Sequence, residues 1–74
     1  MDRVEEKVVS SIERGLIGLP SVFSAEVDKE DLGIVGMPWI EDYLTENGYK
    51  LNATASLEGG IVELIGSSQE IYHA

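Results

Sequence analysis

Almost every side chain here that could do chemistry is a carboxylate. In 74 residues, 14 Asp and Glu face 5 Lys and Arg, for a formal net charge of −9. There is no cysteine, so a thiolate nucleophile is impossible. The one histidine, His73, is next to last. A Ser-His-Asp arrangement would have to recruit its base from a chain end that cannot hold hydrogen-bond register. Paired carboxylates could serve as general acid and base. Most of these, however, fall at positions expected to be solvated, where their proton affinity is not expected to shift. The expectation is a protein that is not an enzyme and that uses no cofactor and no metal.

Other constellations fail on residue type. Asp28, Glu30 and Gly33 fit three positions of a calcium loop, but Leu32 and Trp39 stand where oxygen ligands are required. The segment reads as a charged turn. The glycines match neither a Walker loop nor a dinucleotide fingerprint. A winged-helix layout would place residues 38–47 in a DNA groove, yet that helix offers Glu41, Asp42 and Glu46 to phosphates and no base. The wing, residues 49–65, would supply only Lys50. Direct nucleic-acid binding is therefore not expected.

The charge is lopsided along the chain. Asp28, Glu30, Asp31, Glu41, Asp42 and Glu46 have no base between Lys29 and Lys50, and none follows Lys50. Helical neighbours such as Asp42 and Glu46 lie roughly 5–6 Å apart, broadly the spacing of successive phosphates. Two readings compete: a surface that imitates nucleic acid and plugs a basic groove, and a solvated face that keeps a small domain dispersed. The segment Ile34-Val35-Gly36-Met37-Pro38-Trp39 offers a second pair. It could anchor an interface through Met and Trp; the favoured reading makes Trp39, Ile40, Tyr43 and Leu44 the core stripe of a helix.

Elements that would position these residues follow from periodicity. Val4, Val8, Ile12 and Leu16 recur every four positions over 2–14, an amphipathic helix with Asp2 as N-cap and Gly15 as terminator. Leu16, Ile17 and Leu19 are expected to tuck under a sheet. Residues 21–27 alternate with Phe23, Ala25 and Val27 on one face, a half-buried strand. Leu32–Val35 reads as either a short return strand or an apolar loop. A second helix spans Pro38 to Asn47, with Pro38 suited to the first position. Tyr49 to Leu57 is a strand with Tyr49, Leu51, Ala53, Ala55 and Leu57 on one face. Glu58-Gly59-Gly60 supplies a hairpin turn. Ile61 to Ile65 then returns with Val62 and Leu64 on the face of Ala55 and Leu57, leaving Ile61, Glu63 and Ile65 opposite. Residues 67–74 read as a tail anchored by Ile71 and Tyr72.

The expected architecture is one α+β domain over residues 1–66. Two helices pack on one face of a three- or four-stranded, mainly antiparallel sheet, in the order α-β-(β)-α-β-β. The expected core is Val4, Val8, Ile12, Leu16, Phe23, Ala25, Val27, Trp39, Ile40, Tyr43, Leu44, Leu51, Ala53, Ala55, Leu57, Val62 and Leu64. The chain is short enough that its stability margin is thin, and no disulfide reinforces it. No apolar run reaches the roughly 18 residues of a membrane span, and the acidic N-terminus has the wrong sign for a signal peptide. A cytoplasmic setting without membrane contact is expected.

The expected function is an acidic protein-binding module of the blocking type. Its negative face, Glu41, Asp42 and Glu46 supported by Asp28, Glu30 and Asp31, would dock on a basic, nucleic-acid-binding protein surface. Phage anti-defence and immunity proteins include blockers of this charge and size. The alternative is a self-associating structural subunit, pairing through exposed Ile61 and Ile65 or through the edge strand 21–27.

Overall fold

The computed structural model describes residues 3–69. Asp2 as N-cap, the anchors Ile71 and Tyr72, and His73 lie outside the described residues. The order is α1 (Arg3–Gly15), β1 (Val22–Asp28), α2 (Lys29–Val35), α3 (Met37–Glu46), β2 (Tyr49–Leu57) and β3 (Ile61–Ser68). The three strands form an antiparallel sheet in the order β1-β3-β2. The α+β class is as expected, with three helices instead of two.

The additional helix is α2, where a turn and a short strand or loop were expected. Its first turn carries Glu30 and Asp31, and carboxylates near a helix N-terminus are favoured by the backbone dipole. Leu32 and Val35, one turn apart, pack against the core. Gly36, at φ 87°, donates its N–H to the Leu32 carbonyl at 2.9 Å and ends the helix. It then serves as the N-cap of α3, with Pro38 in the first turn. A non-glycine residue would be strained in this conformation.

The core is a single apolar layer between the helices and one sheet face. Val8 and Ile12 of α1, and Ile40 and Leu44 of α3, are buried against Phe23, Ala25, Val27, Tyr49, Val62 and Leu64. Leu16, Leu32, Val35, Trp39, Tyr43 and Leu51 pack around this centre half-buried. The connector after α1 departs from expectation. Leu16 packs inward, but Ile17 and Leu19 expose 77% and 79% of their surface. Gly18 and Leu19 both take positive φ there, which turns the chain outward before Pro20.

The hairpin also departs from its expected facing, through two register changes that offset each other at the start of β2. The loop holds three residues, Glu58, Gly59 and Gly60, so Leu57 opposes Ile61 and Ala55 opposes Glu63. A two-residue loop would have shifted this pairing by one and reversed every side chain. Nearer the start of β2, the register slips between Leu51 and Ala53, a β-bulge that changes face again. Tyr49 and Leu51 therefore point at the helices, whereas Ala53, Ala55 and Leu57 join Ile61, Glu63 and Ile65 on the open face. Ala53, Ala55 and Leu57 leave the expected core. The β3 strand continues to Ser68, past the expected start of the tail, because Ser21 and Gly48 both bond to it: Ser68 N–H donates to the Ser21 carbonyl and Gln69 N–H to the Gly48 carbonyl, each at 2.8 Å.

These flanking bonds define which backbone groups face outward. Lys29 N–H also donates to the Gly60 carbonyl at 2.8 Å, so bonded pairs on β1 fall at Phe23, Ala25 and Val27. Hydrogen-bonded and open positions alternate along an antiparallel pair. Val22, Ser24, Glu26 and Asp28 thus direct their N–H and C=O groups to the outer edge of β1. On β2 the same alternation bonds Lys50, Ala53, Ala55 and Leu57 to β3, and leaves Thr54 and Ser56 facing outward.

Candidate protein-binding surface

The three carboxylates of α3 stand where a surface contact needs them. Ile40 and Leu44 bury one stripe of the helix, which turns Glu41, Asp42 and Glu46 outward, all exposed. None of the three forms an ion pair among the described residues. Asp42 and Glu46 are one turn apart and share a flank; Glu41 lies on the next.

Beside that flank, Trp39 and Tyr43 stack at 5.8 Å between ring centroids with only 3° between their planes. The i, i+4 spacing on a helix brings such side chains together. Both rings are half-buried, so each borders the core and the solvent. The hydroxyl of Tyr43 is pushed above its ordinary proton affinity by burial first and by the negative charge of Glu13 second. Glu13 of α1 thus lies within electrostatic reach of Tyr43.

The acids around α2 divide differently. Lys7 Nζ lies 3.0 Å from Asp31 Oδ2 and 3.7 Å from Asp28 Oδ2. The hydrogen bond with Asp31 and its charge, with a smaller contribution from Asp28, raise the proton affinity of Lys7. Asp28 and Asp31 are therefore partly neutralised within the molecule. Glu30 remains exposed and unpaired among the described residues. Residues 29–35 are helical, so the chain does not wrap as a ligand loop. Among the described residues no three His, Cys, Asp or Glu side chains gather as metal ligands would.

Three of the five bases, Arg3, Lys7 and Arg14, line an open groove of about 520 Å³ between α1 and β1, where they mix with the acids Glu6, Glu26, Asp28 and Asp31. Sequence reasoning gave these bases no role in the site. Their spacing at 3, 7 and 14 marked a common flank. Only the packing of α1 beside β1 shows that this flank borders the strand. No described helix is long and apolar enough to cross a membrane. Comparison of the chain with protein-family models, curated proteins and solved structures gives no match.

Proposed function

We infer that this domain is an acidic protein-binding module that blocks a basic, nucleic-acid-binding surface. The carrying observation is the set Glu41, Asp42 and Glu46, exposed on one helix and, among the described residues, unspent on internal ion pairs. Complementary charge speeds encounter and selects partners, while well-packed aromatic anchors supply much of the affinity. Trp39 and Tyr43 provide such an anchor next to the acids. A lysine or arginine of the partner placed over these rings would gain a cation–π contact as well as the nearby carboxylates. Asp28 and Asp31 contribute less than Glu30, because Lys7 already engages them. The blocker acts by occupancy: while it covers the basic surface, the natural polyanionic ligand is excluded.

The test is affinity capture from a native lysate with elution by rising salt, followed by mass spectrometry. Recovery of a basic nucleic-acid-binding protein, lost when Glu41→Gln, Asp42→Asn and Glu46→Gln are combined, supports the reading. Capture that is indifferent to those three changes removes it.

A further inference from the structure

We propose that Asn47-Gly48 is a self-modification site, at which asparagine converts to aspartate or isoaspartate at a rate set by opening of the last turn of α3. Glycine after asparagine favours this reaction, because it brings no Cβ to obstruct ring closure. The Gly48 nitrogen gives up its proton and attacks Asn47 Cγ. The Cγ–Nδ2 bond breaks, and the amide leaves with that proton as ammonia. The resulting succinimide then takes up water. Addition at Cγ breaks the new bond and gives aspartate; addition at the main-chain carbonyl breaks the original peptide bond and gives isoaspartate.

The fold holds the reacting atoms apart. Gly48 N–H donates to the Thr45 carbonyl at 3.0 Å, and Asn47 Nδ2 donates to the Tyr43 carbonyl at 2.8 Å. Nucleophile and leaving group are thus both tied to carbonyls that the helix end leaves without partners. Asn47 has ψ 10°, which nearly eclipses the Gly48 nitrogen with the Asn47 backbone nitrogen and turns it away from Cβ. A five-membered ring needs the nitrogen on the Cβ side. Gly48 is restrained further by its carbonyl, which accepts from Gln69 N–H at 2.8 Å.

Yet this latch is shallow. Thr45, Glu46, Asn47 and Gly48 are all exposed, and the buried residues of α3, Ile40 and Leu44, come before them. The turn can therefore open without disturbing the core, and exposed helix ends open at low cost. Conversion runs one way. A carboxylate has no N–H to offer the Tyr43 carbonyl, and its charge meets the negative end of the helix dipole beside Glu46. Isoaspartate also lengthens the backbone by one carbon. A converted molecule cannot close the cap that protected it. This chemistry needs no partner, so it stands or falls independently of the blocking role.

Timed incubation of the full chain at mildly alkaline pH, with peptide mapping by mass spectrometry, tests it, since oxygen in place of the amide nitrogen changes the mass. Asn52, followed by Ala53, is the internal reference. Asn47 is expected to convert while Asn52 does not. Conversion in denaturing urea is expected to be at least about tenfold faster than in buffer, because the cap is then always open. Urea too dilute to unfold the protein should leave the rate unchanged, since opening one exposed turn uncovers little surface. Gln69→Pro removes the donor to Gly48 and is expected to speed conversion several-fold in buffer but not in denaturing urea. Converted molecules, separated by their extra negative charge, should exchange the amides of residues 45–48 faster than native ones. No conversion at Asn47, equal rates in buffer and denaturing urea, or a rate that climbs steadily through dilute urea would each overturn the proposal. So would a folded Gln69→Pro protein that converts no faster. If that variant does not fold, the urea series carries the test alone.

Discussion

Lys7 of α1 reaches across to Asp31 of α2, Nζ to Oδ2 at 3.0 Å, and in doing so divides the carboxylates of this protein into two populations. Asp31 and Asp28 belong to the fold, and those of α3 are left for the surface. Exposure separates the two partners of Lys7: the Asp31 side chain is 13% exposed, whereas Asp28, held at 3.7 Å, keeps 52%.

That contact has a pH signature. The proton affinity of Lys7 is raised above its ordinary value of 10.5, so the folded state holds the proton more tightly than the unfolded chain. Its stabilisation is fully present below that value and is lost as pH rises through the folded one. Tyr43, raised above its ordinary 10.0 by burial and then by Glu13, loses stability in the same direction. Thermal melts should hold steady through neutral pH and fall in the alkaline range. Lys7→Met should melt below the native protein at neutral pH, and the gap should close as pH passes 10.5. A gap that persisted unchanged would mean packing, and not charge, was lost.

Gly66 is opposite Phe23 in the sheet, and a Cβ at that position would overlap both the Phe23 ring and the Lys50 carbonyl. Aromatic side chains commonly cover strand glycines in this way. Gly66→Ala should therefore cost about 3 kcal/mol, at the upper end for overpacking. A denaturant titration measures it. Gly33→Ala, in open space on α2, should stabilise by a few tenths of a kcal/mol to about 1 kcal/mol through helix propensity.

Among the described residues, Tyr49 is the buried aromatic with a distant polar partner. Its hydroxyl donates to the Pro20 carbonyl at 2.6 Å, while its ring meets Phe23 edge-on at 5.5 Å. This bond ties the start of β2 to the connector that turns outward at Leu19. Tyr49→Phe keeps the ring contact and removes the bond, for an expected loss of about 1–2 kcal/mol. Amide exchange at residues 18–21 should quicken in that variant more than exchange in α3.

Neutralising Glu41, Asp42 and Glu46 should leave stability within about 0.5 kcal/mol of native, since all three are solvent-exposed and form no ion pair among the described residues. Binding to a basic partner should instead weaken, and its dependence on salt should become shallower, because screened surface charges supply the steepness. Isothermal titration at two ionic strengths separates the effects. Loss of binding with an unchanged salt slope would point to the aromatic pair in place of the acids.

Local pattern was enough for several elements. The four-residue recurrence of Val8 and Ile12 marked α1 and its buried stripe, and alternation through Phe23, Ala25 and Val27 marked β1 and its inward face. Ile40 and Leu44 were placed correctly in α3, as were the outward positions of Glu41, Asp42 and Glu46. The helix α2 was less legible: seven residues containing Gly33 give barely two turns, with Leu32 and Val35 as the sole core contacts. The acids Glu30 and Asp31 were the available signal, since a charged turn and a helix N-terminus share that composition. The pairing of Asp31 with Lys7 spans 24 residues of sequence and has no local trace.

The sequence by itself determined the charge imbalance, the absence of a thiol, and the apolar periods that make helices and strands. These are properties of residue type and near-neighbour spacing. Tertiary structure alone decided which carboxylates Lys7 engages, which acids border the bases of α1, and which side of β2 meets the core. Facing in a strand depends on counting residues between partners, so one extra residue in the loop and one in the bulge at Asn52 each reverse it. Charge pairing depends on the distance between helices that only the packed core brings together.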